Sequence, residues 1–258
     1  MGLIPAGDWL RAAERDLPRG ADPAALLGPD GAALVLAPHP DDESVGCGGL
    51  LAACAAAGRR VTVVVVSDGA GSHPGSRTWP PVRLAELRQA ETRDAVAALG
   101  LDAARDLHFL GLPDRSVPRE GAAFDAALAR LLDLAPPSCT IFAAWQHDPH
   151  ADHAASFVLA AALRQRLAAR LFAYPVWGLA HAHPVPGFPL APPPELPAPP
   201  RGHRLDVSAW LPAKRRAIAA HRSQLGQVVQ DDPAGFVLPQ ALLDLACRAE
   251  ELFLEDPA

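Results

Sequence analysis

The run Arg60–Ser67, RVTVVVVS, constrains the fold more than any other stretch of the chain. Its β-branched residues follow one another without interruption and read as a strand. A strand with one wet face alternates apolar and polar residues. This one is apolar on both faces, so it needs helices on each side, as the strands of a parallel sheet do. Ala32–Ala37, Leu107–Leu110, Thr140–Ala144 and Arg170–Tyr174 read as further short strands. Between them, Gly48–Ala57, Leu84–Leu99 and Asp152–Ala168 read as helices. In Leu84–Leu99, Leu84, Leu87, Glu91, Ala95 and Ala98 fall at helical spacing, and Gly100 stands just past the end. Strands that alternate with helices predict an α/β fold: Rossmann-like, a mostly parallel twisted sheet with helices on both faces and right-handed crossovers. Ala213–Leu225 and Pro239–Phe253 are predicted as later helices.

The chain has 258 residues, half of them hydrophobic, enough for a sizeable core. Residues 1–258 are expected to form a single domain. Within it, residues 184–200, PVPGFPLAPPPELPAPP, hold nine prolines and fit neither a helix nor a central strand. This segment is expected to be a surface loop with polyproline character, or a rim over a site. The net charge of −6 excludes the clustered basic footprint of a nucleic-acid binder, and an anionic-membrane anchor with it. The longest apolar runs, Leu50–Ala57 and Ala154–Leu163, fall short of the roughly 20 residues of a membrane helix. The N-terminus lacks the pattern of a signal peptide. Cys47, Cys54, Cys139 and Cys247 form no CxxC pair and read as small apolar residues in a reducing compartment. The expected setting is the cytoplasm; a homo-oligomer stays open.

In open α/β sheets, ligands bind beyond the carboxyl ends of the strands. Three polar stretches stand there: HPDDE after the Ala32 strand, SDGAGSH after the valine run, and HDPHADH after the Thr140 strand. Packed acids repel one another, and a cation would neutralise them. His39 and Asp42 lie three apart in a turn, where both can reach one point, and the HDPHADH cluster offers a further ligand. The bland alternatives are a solvated helix start for Asp42 and Glu43 and a capping or surface role for each histidine.

Several blocks together carry a family resemblance. His39-Pro40-Asp41-Asp42-Glu43 with Gly46-Cys47-Gly48-Gly49, and later His150-Ala151-Asp152-His153, resemble the two signatures of the PIG-L/LmbE-like zinc-dependent N-deacetylases. Arg88-Gln89-Ala90-Glu91 with Leu99-Gly100, Phe109 to Asp114, and Lys214 with Ala220-His221-Arg222-Ser223-Gln224 resemble its other blocks in the same order. The resemblance spans roughly residues 30 to 230. It implies zinc held by His39, Asp42 and His153. It implies Asp41 as the general base toward the attacking water, and protonated His150 as the group that stabilises the oxyanion or protonates the amine. Asp152 would orient a histidine; it also reads as an N-cap of the following helix. Arg88 and Asp114 would contact substrate, although Arg88 and Glu91 also fit an exposed ion pair and Asp114 a simple turn. His221 reads as a packed histidine of an amphipathic helix. The implied substrate is a small-molecule N-acetyl sugar or N-acetylglucosaminyl conjugate. Tyr174, Trp177 and His181 stand near the proline segment as candidate sugar contacts.

The third glycine of GxGxxG is missing after Gly46 and Gly48, which disfavours a dinucleotide site. GxSxG is absent around Ser72, which disfavours a serine hydrolase. A zinc amidase acting on a thiol-sugar conjugate and a non-catalytic sugar-binding subunit remain the alternatives.

Overall fold

In chain order the elements are β1 (Leu3–Pro5), α1 (Ala6–Asp16), β2 (Arg19–Gly20), α2 (Ala24–Leu27), β3 (Ala32–Ala37), α3 (Asp42–Ala56), β4 (Val61–Ser67), α4 (Pro81–Ala98), α5 (Ala103–Asp106), β5 (Leu107–Leu112), α6 (Ala122–Leu134), β6 (Cys139–Ala144), α7 (Ala151–Leu167), β7 (Arg170–Tyr174), α8 (Leu179–Ala182), β8 (Glu195–Pro197), β9 (Gly202–Asp206), α9 (Leu211–Ala220), α10 (Gln240–Ala246) and β10 (Glu250–Glu255). The computed structural model describes residues 2–20, 22–28 and 31–255, so both ends of the expected 1–258 domain lie outside the described residues.

The valine run sits where its composition requires. β4 is buried along its whole length and pairs in parallel with β3 and β5. On the other side, β3 pairs in parallel with β6, and β6 with β7. Side chains alternate across the sheet. Val63 and Val65 join Val35, Leu50 and Leu51 on the face covered by α3, α4 and α9. Val64 and Val66 join Leu34, Leu36, Leu131 and Leu159 on the face covered by α1, α6 and α7. The α/β fold with a mostly parallel sheet therefore stands as expected. The chain moves outward from β3 in both directions, toward β5 and toward β7. A crevice is left at the carboxyl ends of β3 and β6.

Beyond β7 the sheet departs from the expectation. Among the described residues it has eight strands in the order β2-β9-β10-β7-β6-β3-β4-β5. β10 runs antiparallel between β7 and β9. The helix expected over Pro239–Phe253 is the short α10 followed by β10. Residues 251–254 are buried, and β10 pairs on both sides, with β7 and with β9, so its backbone groups are satisfied within the sheet. The helix expected to run to Leu225 stops at Ala220. α1 and α6, which were not assigned an element from sequence, complete the second face.

The first expected helix also begins earlier, at Asp42, so Asp42 and Glu43 belong to its first turn. α3 is kinked at Cys47 (φ −141°, ψ 24°). The kink frees two backbone donors, and Glu251 accepts both, from Gly49 N at 2.7 Å and Leu50 N at 2.8 Å. Lys214 Nζ lies 2.7 Å from the same carboxylate. The glycines around the kink permit close approach: a Cβ on Gly46 would sit 2.3 Å from the Tyr174 ring, and one on Gly49 2.5 Å from Val207.

In the proline-rich segment, β8 pairs antiparallel with β1 in a two-stranded sheet of their own. Trp9 Nε1 donates to Pro197 O at 2.8 Å. Among the described residues no helix is long and apolar enough to cross a membrane.

Candidate active site and metal centre

The backbone turns sharply as β3 ends. Asp41 has φ 136°, a region that side chains other than glycine avoid. Asp41 N donates to Glu43 Oε2 at 3.0 Å, and Glu43 Oε1 lies 2.8 Å from His221 Nε2. Glu43 is therefore not the solvated helix start its position suggests. It is fully buried, and with His221 it holds the strained turn. The turn sends the two aspartates apart.

Asp42 faces inward. Its Oδ2 lies 3.0 Å from His39 Nδ1 and 3.2 Å from His153 Nε2. His153 Nδ1 is bonded to Asp148 Oδ2 at 2.8 Å, whereas His153 Nε2 is buried and makes no hydrogen bond. Asp148 also accepts from Val176 N at 3.0 Å and Gly178 N at 2.7 Å, and so ties His153 to the loop after β7. The far side of His39, Nε2, lies 3.2 Å from Asp152 Oδ2 and 3.4 Å from Asp114 Oδ1. Asp152 thus meets His39. It does not cap α7: it accepts from Arg115 N at 2.6 Å and Val117 N at 3.1 Å. The cap is His150, whose Nδ1 accepts from Asp152 N at 3.2 Å.

Asp41 faces the cavity and the Arg88 guanidinium, with Oδ2 3.3 Å from Nη2. The exposed Arg88–Glu91 pair is not found. Arg88 is buried and donates to Gly69 O at 2.8 Å and Pro40 O at 2.6 Å, stitching the ends of β3 and β4 together. Glu91 is buried too and accepts from Ser223 N at 2.8 Å and Ser223 Oγ at 2.6 Å. His221 lies just past α9 rather than within a helix.

The electrostatics follow from burial and pairing. Burial opposes charge on His39, but hydrogen bonds to Asp114, Asp152 and Asp42 outweigh it and hold the ring well above the usual histidine value. His153 is likewise penalised by burial, yet Asp42 and Asp148 hold it up at about 9. Burial would raise Asp42, but His153 and His39 hold it well below the carboxylate range. Asp41 is pushed up to about 7 by burial, against Arg88 and with the help of Asp42. His150 is pushed down to about 4 by burial and by the neighbouring His39 and His153. Its Nδ1 already accepts a hydrogen bond from Asp152 N. Because Nδ1 accepts a hydrogen bond, the proton sits on Nε2.

His39, Asp42 and His153 offer two imidazoles and a carboxylate, the donor set of a catalytic zinc. That set is not one of the groupings whose ligand atoms all lie within 4.8 Å of one another; among the described residues these are His39–His150–His153 and His39–Asp114–Asp152. In the first, His150 already uses one ring nitrogen as a helix cap. In the second, Asp152 is already occupied by two backbone N–H groups. His153 Nε2, which makes no hydrogen bond, lies 3.2 Å from Asp42 Oδ2.

These groups line a cavity of about 330 Å³. His39, Asp41, Asp42, Arg88, Asp114 and His150 all reach it. His153 lies beneath, fully buried. Gly71 and Ser72 bring in the third polar loop as expected. Of the residues near the proline segment, Trp177 lines the cavity. Tyr174 is core: its hydroxyl donates to Leu36 O at 2.8 Å. Four residues with a place here were not assigned one from sequence: Asp148, Arg115, Gln224 and Phe236. Asp148 carried a signal as an extra acid beside His150, and Gln224 one as the end of the Ala220–Gln224 block.

Residues 34–163, half of the chain, match the family described as PIG-L: GlcNAc-PI de-N-acetylase. The chain belongs to the PIG-L family. A probable N-acetyl-α-D-glucosaminyl L-malate deacetylase 2 of Bacillus cereus is 30% identical over 123 residues. That match takes in 46% of this chain and 54% of the relative, so the chain spans about half the length of the curated relative it matches. Among solved structures, the conserved protein TT1542 of Thermus thermophilus is 25% identical, with a TM-score of 0.58 over 88% of this chain and 94% of that one. The N,N'-diacetylchitobiose deacetylase of Pyrococcus horikoshii, 19% identical with a TM-score of 0.59 over 96% of this chain and 87% of that one, shares the fold. The PIG-L match covers both signature clusters and the strands and helices that carry them.

Proposed function

We propose that this PIG-L chain, residues 1–258 acting as one domain, is a zinc-dependent hydrolase. It removes the acetyl group from an N-acetylated amino sugar or N-acetylglucosaminyl conjugate. The observation that carries the reading is the convergence of His39 Nδ1 and His153 Nε2 on Asp42 Oδ2 beside the cavity, with His153 Nε2 lacking a hydrogen bond. A cytoplasmic setting belongs to the same proposal and fits four free cysteines.

His39, Asp42 and His153 would hold the zinc. When bound, zinc supplies Lewis acidity, which lowers the pKa of water to about 7 and polarises a carbonyl. The chain's own groups do the rest. Asp41, a buried carboxyl with a pKa near neutrality, is the general base. Arg88 engages its Oδ2, which leaves Oδ1 to take the proton of the attacking water. His150 donates from Nε2–H to the carbonyl oxygen as negative charge builds there, and a neutral donor suffices. The proton held by Asp41 passes to the amide nitrogen, so the C–N bond breaks to a free amine and acetate. Asp114, which also lines the cavity, accepts from a sugar hydroxyl. Arg88 contacts substrate from the wall while it positions Asp41. Asp152 and Asp148 fix the two histidines.

The test is purification without chelators, followed by zinc analysis and amine release from a panel of N-acetyl sugars and thiol-sugar amides. About one zinc per chain and release from at least one N-acetyl sugar are expected. Absence of zinc after it is offered, with sugar binding retained, would return the chain to the non-catalytic binding role.

A further inference from the structure

Asp41 is held at two places, and both lead to one turn of the chain. The first is its backbone. A φ of 136° persists only where the surroundings over-determine it. Asp41 N donates to Glu43 Oε2 at 3.0 Å. Glu43 Oε1 accepts from Ser44 Oγ at 2.7 Å and lies 2.8 Å from His221 Nε2. The second is its side chain. Arg88 Nη2 lies 3.3 Å from Asp41 Oδ2, and Glu91 stands one helical turn further along α4. Glu91 accepts from Ser223 N at 2.8 Å and from Ser223 Oγ at 2.6 Å. α9 packs against both α3 and α4. Just past its end the chain turns back: Gln224 N and Leu225 N both donate to His221 O, at 3.0 and 3.2 Å. His221 and Ser223 are thereby fixed relative to one another.

Glu43, Glu91, His221 and Ser223 are all buried, and none of them lines the cavity. Among the described residues, the His221 ring has no hydrogen-bond partner beyond Glu43 and Ser44. A histidine buried this way serves that contact alone. Gly69 leaves room for the other route: a Cβ there would lie 2.8 Å from Arg88 Nη1 and 2.9 Å from Pro40 Cδ. A general base must sit within hydrogen-bond reach of the proton it takes. A misplacement of about 1 Å can cost about 10²-fold in rate.

We infer that the turn His221–Gln224 is a positioning element for the base: His221 fixes the Asp41 backbone through Glu43, and Ser223 fixes the Asp41 carboxylate through Glu91 and Arg88. The inference rests on the reading of Asp41 as general base, so the variants are made in two backgrounds, native and Asp41→Asn. Zinc content and amine release from N-acetylglucosamine are measured in each. In the native background, His221→Leu and Glu91→Ala should each keep zinc and lower kcat by roughly 10–100-fold. For His221→Leu, KM should stay unchanged. In Asp41→Asn neither should have any further effect, because both act through the group already removed. His221→Gln and Glu91→Gln, which keep a donor to Glu43 and an acceptor for Ser223, should recover most of kcat. Should a larger substitution fail to fold, Ser223→Ala removes one hydroxyl and is read in the same two backgrounds. Equal losses in both backgrounds would leave Asp41 as the base and overturn the positioning role. Asp41→Asn as fast as the wild type would remove the base, and the inference with it. A further reading needs no turnover: in crystal structures of the zinc-loaded His221→Leu and Glu91→Ala proteins the Asp41 carboxylate should be displaced. An unmoved carboxylate in both would overturn the inference.

Discussion

Two clusters of buried charge stand at the start and at the kink of one helix. At the start of α3, Asp42 meets His39 and His153 beside a cavity of about 330 Å³. At the kink, Glu251 meets Lys214 and two backbone N–H groups beside a space of about 30 Å³. Both sets are buried to a similar degree. They differ in completeness. Both Glu251 oxygens are engaged in the second cluster, whereas the first leaves His153 Nε2 without a hydrogen bond. A satisfied buried pair serves the fold; an unsatisfied one at a cavity is poised to take a ligand.

The widest separation between the clusters should come from His153→Ala. Metal analysis should find the zinc gone and amine release abolished, with the fold retained by circular dichroism. Loss of the fold instead would mean that the first cluster is structural like the second. Next comes Asp41→Asn, for which zinc should remain while kcat falls by about 10²–10⁴. If zinc is lost there and kept in Asp42→Asn, the two aspartates have exchanged roles. Glu251→Leu acts on the other cluster. It strands Lys214 and two helix donors, so thermal denaturation should report a loss of about 3–5 kcal/mol. Adding Lys214→Met should recover much of that loss, because the uncompensated charge is what destabilises. The smallest effect is expected from Gly46→Ala. Its methyl group meets the Tyr174 ring and should cost about 1–3 kcal/mol through displaced packing, with zinc content unchanged.

The same contrast separates what could be read early from what could not. The valine run and the alternation of strands and helices led directly to the parallel centre of the sheet, because a strand buried on both faces has a composition of its own. The antiparallel strands β9 and β10 left no such mark. Residues 250–255 pair with partners far away in the chain, and nothing local distinguishes them from a helical continuation. Glu43, Glu91 and Arg88 were legible as polar residues at helical positions. Their burial was not legible, since His221, Ser223 and Gly69 become their partners only when α4, α9 and the strand ends meet.

By itself, then, the sequence determined the kind of sheet, the loops that carry the chemistry, and the residue types able to bind a metal. All of these follow from local pattern: periodicity, strand composition, and the clustering of His and Asp at strand ends. Only the tertiary structure decided which partner each histidine nitrogen meets, that Asp41 takes a strained backbone turn beside Asp42, and that His150 caps α7. Each of these depends on which distant groups share a small, dry volume, where burial and pairing set both charge and direction.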